Sequence, residues 1–513
     1  MKQFTRFWAA MMLAAALFAC YGLDDDYNVA PGLRLGFSTD TLAFDTVLTT
    51  VGSATHWLMV YNRNDAPLLI ESIKLVGGAS TTGFRINVDG RNGNTFSDIR
   101  IEANDSLYIF VEITSKPNGT NVPALVEDWI EFSVNGTMQR VVLQAWGQDT
   151  HTLRGGCFIS RDTLWDATKP YLIYDSIVVD SGARLTIEAG AILYMHDRAK
   201  WVINGTLEAV GTVEQPIVFR GDRLDFVNSD LPFDLISGLW DGMYFQPGSY
   251  GNELSHTVVR NAFRGVVCTE AEMLDKVKIR ISDSQIKNMS QSGMEAVNSR
   301  IKAVNTEFAN AAGAVVSVTG GSVEFMHCTL ANFYRIKHGR MGQPTLFLSN
   351  YTEPEKGEKK SFPLHGAIFV NCIIDGSYYE GSQPYTGELG VARMDESDFN
   401  MAFRNCAIKT AEIEDSNFVA IRYISSSFAP VYKKISDGNS SESLVYDFRP
   451  LINKDNDGKP EKKQPVVGQA DTAVARLYPV DRLGVPRLEN KTDCDIGAYE
   501  HVEEDNEEGE MGN

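Results

Sequence analysis

Short apolar runs separated by turn residues, rather than long amphipathic periods, pattern this chain. Between residues 33 and 147 the runs at 57–61, 68–70, 108–113, 130–134 and 141–145 are rich in β-branched, aromatic or other apolar residues. Turn chemistry such as Asn62-Arg63-Asn64-Asp65 and Asn135-Gly136 divides them. Several short strands at this spacing, without a 3.6-residue period, predict a small antiparallel β-sandwich over residues 33–149. Beyond Asp149 the runs shorten and glycine punctuates them, as in Trp201-Val202-Ile203-Asn204-Gly205-Thr206-Leu207.

A repeat emerges when His256, Asp283, Asn305, His327, Asn371 and Asn405 are aligned. The steps from Asp283 to Asn305 and on to His327 are 22 residues each, and the step to Asn371 is 44. The outer steps of 27 and 34 are the same period with insertions of 5 and 12. Two residues before each marker stand Leu254, Ile281, Ala303, Phe325, Phe369 and Phe403. One residue after stand Thr257, Ser284, Thr306, Cys328, Cys372 and Cys406, and three after stand Val259, Ile286, Phe308, Leu330, Ile374 and Ile408. Five after the first four markers come Asn261, Asn288, Asn310 and Asn332. Apolar or small side chains at fixed offsets line an interior, and an asparagine at a strand end tolerates a left-handed turn. Twenty-two residues at ~3.3 Å each give ~70 Å of contour, enough for three short strands and three turns. The predicted fold class is therefore all-β, with the sandwich followed over residues 150–500 by a right-handed parallel β-helix of ~22-residue coils. A leucine-rich repeat has a similar period but requires LxxLxL spacing and a helical half-repeat, which this pattern lacks. In this register Cys328, Cys372 and Cys406 are small core fillers, not ligands or nucleophiles. The doubled step from 327 to 371 holds either one further coil or a large loop.

At the other end, Lys2 and Arg6 precede an apolar run of 13 residues, Phe7 to Ala19, that stops at Cys20. That is too short to cross a ~30 Å hydrocarbon core and suits a signal peptide over residues 1–19. Leu17-Phe18-Ala19-Cys20 resembles the lipobox of bacterial lipoproteins, although Phe18 departs from the small or β-branched residue usual there. The resemblance implies a lipid on the Cys20 thiol and an anchor in the outer membrane. Asp24, Asp25 and Asp26, within an acidic tether at 20–32, resemble the export signal of surface-exposed Bacteroidota-type lipoproteins. Leu42-Ala43-Phe44-Asp45-Thr46-Val47 and Tyr61-Asn62-Arg63-Asn64-Asp65-Ala66-Pro67-Leu68 resemble immunoglobulin-like sandwiches of the abnormal-spindle type. The stretch 150–500 resembles the parallel β-helix repeat proteins of bacterial surfaces. In that family a closing segment like Asp495-Ile496-Gly497-Ala498-Tyr499-Glu500 caps the last coil. Residues 501–513 read as a disordered acidic tail.

Composition and candidate chemistry narrow the function. With 47 basic and 67 acidic residues the net charge is −20, which opposes binding to nucleic acid. Six cysteines besides Cys20 are scattered without a CxxC or zinc-ligand spacing, so neither a metal nor a cofactor is expected. β-Helix glycosidases carry paired aspartates ahead of an Arg-Ile-Lys motif; Arg335-Ile336-Lys337 and Asn305-Thr306-Glu307 stand here without that pair. The acids Asp241, Glu270, Glu272 and Asp275 do not repeat at equivalent offsets, as a lyase's calcium cluster requires. No catalytic residue is assigned. The insertions carry Tyr351, Tyr378, Tyr379 and Tyr385, amphipathic rings that suit sugar faces or a protein partner. The expected function is a non-enzymatic, lipid-anchored surface protein. Its sandwich is a spacer, and its β-helix meets a polysaccharide or an envelope or host protein. The alternatives are a polysaccharide-degrading lyase or glycoside hydrolase of this fold, and an accessory subunit of an outer-membrane complex.

Overall fold

The computed structural model describes residues 27, 30–228, 231–336, 339–355, 357–378, 387–435, 444–452, 464–489 and 491–502. Cys20, Asp24, Asp25, Asp26, Tyr379, Tyr385 and residues 503–513 lie outside them. The chain divides into two compact units, Met1–Asp149 and Thr150–Asn513.

In the first unit, alternation along each strand sends apolar side chains to one face. Leu58 and Val60 of His56–Tyr61 are buried, while Trp57, on the opposite face of the strand, is exposed. Two five-stranded sheets result. Leu58, Val60, Phe84, Ile109 and Val111 from one, and Ile70, Ile73, Ile130, Phe132 and Leu143 from the other, share a core. The pairing is not wholly antiparallel. Gly36–Phe37 pairs with His56–Tyr61, and the chain then changes sheets, so that Thr41–Leu48 enters the second one parallel to Thr137–Gln148.

The second unit is a parallel β-helix. An eleven-stranded parallel sheet forms face 1, and a seventeen-stranded sheet wraps the other two faces. Gly242–Phe245 and Arg264–Cys268 are neighbouring strands of face 2, and Asn252–Ser255 and Ile279–Ser282 of face 3. Ser292–Val304 and Val316–Met326 are long enough to run through both. On face 3, Leu254, Ile281, Ala303, Phe325, Phe369 and Phe403 pair rung to rung. On face 1, Val259, Ile286, Phe308, Leu330, Ile374 and Ile408 do the same. Both columns are buried. Late in the stack the face 3 column becomes a run of phenylalanines, with ring centroids 4.9 Å apart from Phe325 to Phe369, 5.0 Å to Phe403 and 4.8 Å to Phe418. Phe325 pairs directly with Phe369, so the 44-residue step is a single coil. Its excess length lies between the strands Thr329–Asn332 and Leu346–Ser349 and in the hairpin Tyr351–Glu355 with Glu358–Ser361.

The corner from face 3 to face 1 explains the marker column. His256, Asp283, Asn305, His327, Asn371 and Asn405 all have left-handed backbones, with φ between 45° and 55°. The residue that follows each does more than fill space. Its hydroxyl or thiol donates to the carbonyl two residues earlier, from Thr257 to Ser255 (3.0 Å), Ser284 to Ser282 (2.6 Å) and Thr306 to Val304 (2.7 Å). Cys328, Cys372 and Cys406 repeat the contact at 3.4, 3.3 and 3.3 Å to Met326, Val370 and Arg404. Each of these carbonyls also accepts the amide of the coil before, as Val304 does from Asp283 and Val370 from His327. Both lone pairs of a buried oxygen are thereby used. The cysteines are free thiols, and burial pushes those of Cys372 and Cys406 well above the usual range.

The C-terminal segment departs from expectation. It does not close the last coil but runs as a strap along the flank of the stack. Arg482 Nε donates to the Ser284 carbonyl (3.3 Å), Asn371 Nδ2 to the Asp471 carbonyl (3.0 Å), and Arg422 Nε to Gln469 (3.0 Å). The reason is the outward side of face 1, where Ala309, Ala331, Ile373 and Ala407 are apolar and covered by Val466, Ile496, Ala498 and Tyr499. Gly497, at φ +106°, lies so close that an added Cβ would come within 2.7 Å of Ile373 and 2.8 Å of Thr329. A buried ion pair fixes the strap: Arg487 Nη1 donates to Glu500 at 2.7 Å and Nη2 to Asn305 at 2.9 Å.

Two predictions follow from packing and burial. Phe369→Ala should cost ~3–5 kcal/mol through lost transfer energy and a residual cavity, whereas Glu324→Ala, on the outward face, should cost less than about 0.5 kcal/mol. Hydrogen exchange should locate the Phe369 damage in the coils between 350 and 410. Equal protection in the two variants would contradict the inward register. Desolvation and the neighbouring Asp495 push the Glu500 carboxyl from 4.5 up to about 7. Folding thus takes up a proton there, so this group's contribution is full at low pH and declines as pH rises from about 4.5 through about 7. Glu500→Gln should flatten that part of the melting-temperature profile; an unchanged slope would contradict the assignment.

Candidate functional site

The described tyrosines of the insertions do not form one site. Tyr351 opens the hairpin at the corner of faces 2 and 3, with Lys359 Nζ 4.3 Å from its ring centroid. Tyr378 follows Ile373–Gly376 at the corner of faces 1 and 2, with the Arg340 guanidinium 4.3 Å from its ring. Arg340 is committed to Glu388 at 2.7 and 2.8 Å. Glu388, fully buried, also accepts from the Thr345 amide and hydroxyl and from the Tyr378 amide. This cluster staples two inserted loops to the coil, and Tyr378 covers the staple. Among the described residues no group of three His, Cys, Asp or Glu is placed to hold a metal.

The first unit has a different kind of surface. Trp57, Tyr108 and Phe110 point outward from adjacent strands and are 52%, 46% and 43% exposed. Trp57 pairs with Phe110 and Met59 with Tyr108. The ring centroids are 5.8 Å apart from Trp57 to Tyr108 and 6.2 Å from Tyr108 to Phe110. Exposed rings clustered on one face of a sheet are candidates for ligand contact.

Polar groups border the rings on the next strands. Asn87 pairs with Phe110 and donates from Nδ2 to Asn92 Oδ1 at 2.8 Å. Arg85 faces Glu112 at 3.4 Å, and the Thr55 hydroxyl donates to Glu112. Phe110, Arg85, Asn87, Asn92, Asn94 and Glu112 line a hollow of about 680 Å³. Ring faces contact the C–H faces of a sugar, and amides, a carboxylate and a guanidinium exchange hydrogen bonds with its hydroxyls. In the sequence, 57–61 and 108–113 read only as strands of a spacer. The outward phase of Trp57, Met59 and Tyr61, opposite buried Leu58 and Val60, was the available signal.

No family model matches the chain. A stretch of 68 residues, 13% of the chain, is 43% identical to Protein bark beetle of Drosophila melanogaster, of whose length the match covers 2%. Among solved structures, the Agl-KA catalytic domain is similar over 72% of this chain and 80% of its own, at 9% identity and a TM-score of 0.29. A family 123 glycoside hydrolase from Clostridium perfringens is similar over 25% of this chain and 30% of its own, at 10% identity and a TM-score of 0.17. The E. coli chaperone DraB covers 22% of this chain and 54% of its own, at 12% identity and a TM-score of 0.16. At these scores the likenesses carry no argument about activity.

Proposed function

We propose that the chain is a surface lipoprotein, anchored in the outer membrane through Cys20, that binds glycan without cleaving it. The exposed ladder of Trp57, Tyr108 and Phe110 beside the polar hollow is the observation that carries this reading. In it the first unit, of immunoglobulin-like class, is a binding module rather than a spacer, and the β-helix extends the contact surface. Asp24, Asp25 and Asp26 direct the protein to the outside of the membrane.

Trp57→Ala and Tyr108→Ala should each weaken binding to immobilised neutral oligosaccharides tenfold or more, the factor for losing about 1.4 kcal/mol. Stability should change by no more than about 0.5 kcal/mol, because both rings are exposed. Unchanged binding in the double variant would remove this face from consideration, and sustained release of shortened glycan by the intact protein would remove the non-enzymatic reading. Cys20→Ser should shift the protein out of the membrane fraction. Alanine at positions 24, 25 and 26 should retain the lipid but abolish protease accessibility on intact cells.

A further inference from the structure

In a chain of net charge −20, one stretch of the solenoid's outer surface is cationic. On face 1, Val259 and Ile286 point inward, so the alternating Val258, Arg260, Gln285 and Lys287 point outward. Arg260 and Lys287 are direct rung neighbours, and the strand before, Ile217–Gly221, supplies Arg220. Three cations thus stand on three successive rungs, ~4.8 Å apart.

Rims rise on both sides of this column. The insertion after Gly221 sets Asp234 against Arg220 and Arg260, at 3.0 Å from each. Asn261 Nδ2 holds that insertion down by donating to the carbonyls of Asp234 and Ile236 at 2.7 Å each. Farther along, the Ser237 and Tyr334 hydroxyls share a buried hydrogen bond of 2.7 Å. The strap forms the opposite rim, with Arg482 5.7 Å from the Tyr499 ring. Tyr499 accepts from Gln285 Nε2 at 3.2 Å and donates to Glu307 at 2.5 Å, closing one end. In the other direction the outward column passes under cover at Tyr194 and Leu172, which are buried.

The partners in this groove do not balance. Asp234 serves two arginines, and Glu307 accepts the Tyr499 hydroxyl. Arg260 Nε and Asn261 Oδ1 are buried without a hydrogen-bond partner among the described residues. Lys287 is the cation of the row with neither a hydrogen bond nor an ion pair among those residues. Part of its surface reaches solvent, yet crowding by the protein lowers its pKa, and burial does the same to Arg260. Held this way, the cation lacks full solvation, and Glu307 and Asp234, each engaged by another group, offset only part of the surrounding positive charge, so an incoming anion is favoured.

We propose that this groove binds an acidic polysaccharide, with one sugar carboxylate seated on Lys287 beside the Arg260 guanidinium. Cations spread over successive rungs, rather than gathered at one point, suit singly charged carboxylates better than one compact phosphate. Their recurrence from rung to rung suits a ligand whose charges repeat along its length. Arg260 contributes a planar fork, and Val258 an apolar patch for the sugar's C–H face. The proposal rests on the glycan-binding reading but concerns another surface, so the two fail separately.

The test uses the full mature chain, with a galacturonic acid oligomer, its neutral methyl ester and inorganic phosphate as probes. The oligomer should bind, more weakly as salt rises, and the methyl ester should not compete. Lys287→Met should weaken binding tenfold or more while the melting temperature stays within a few degrees. Lys287→Arg, which keeps the charge, should restore binding to within about threefold. Trp57→Ala should leave oligouronate binding unchanged even where it abolishes binding to neutral glycans. Equal affinity for the methyl ester, competition by phosphate at matched concentration, or full binding by Lys287→Met would each overturn the proposal. So would oligouronate binding that depends on Trp57 and not on Lys287.

Discussion

The solenoid depends on one corner. From His256 to Asn405 each coil passes from face 3 to face 1 through a single left-handed residue, and the chain beyond it must enter the interior at once. Only a small side chain fits there, and only a donor satisfies the second lone pair of the carbonyl it meets. Threonine and serine meet both demands, and cysteine meets them with a weaker, longer bond, as the 3.3–3.4 Å contacts of Cys328, Cys372 and Cys406 show. The volume this corner leaves free is taken by the larger columns at two residues before and three after the marker. These columns grow from Ala303 to stacked phenylalanines along face 3. Core, register and turn are therefore one constraint seen from three sides.

That coupling is why the repeat could be read from residues alone. Asn, Asp and His at the marker report the backbone angle directly, since these side chains tolerate φ near +50°. The small column reports the corner, and Phe325, Phe369 and Phe403 report the interior. Features set by tertiary covering left weaker traces. Ala309, Ala331 and Ala407 are small because Ala498 and Tyr499 lie over them, but nothing local distinguishes them from exposed alanines. The strap's path along the flank could not be read for that reason. The same holds for the insertions: Tyr351 and Tyr378 look equivalent in sequence, and only the order of faces separates their corners. In the first unit the parallel entry of Thr41–Leu48 depends on a change of sheet after two residues at Gly36–Phe37, too brief to leave a pattern.

The two surfaces argued for ligand contact differ in physics. Trp57, Tyr108 and Phe110 sit in the open, where shape and C–H contact dominate and salt matters little. Arg260 and Lys287 sit between rims, where the low local dielectric strengthens any charge that enters. A polymer with neutral and acidic sugars offers something to each. The strap belongs to the second surface as much as to the fold, since Arg482 and Tyr499 wall the groove.

The strap also imposes an order in time. It follows in sequence the coils that it covers, yet its anchors reach back to Ser284, Asn305 and Thr329. The strap has no surface to dock on until those coils stack, with Ala309, Ala331 and Ile373 bare to water and Ile496 to Tyr499 more than a hundred residues further along the chain. Until the strap docks, the stack carries an apolar stripe along its side. Gly497, the one point where backbone lies flush on Ile373 and Thr329, is then the last seam to close.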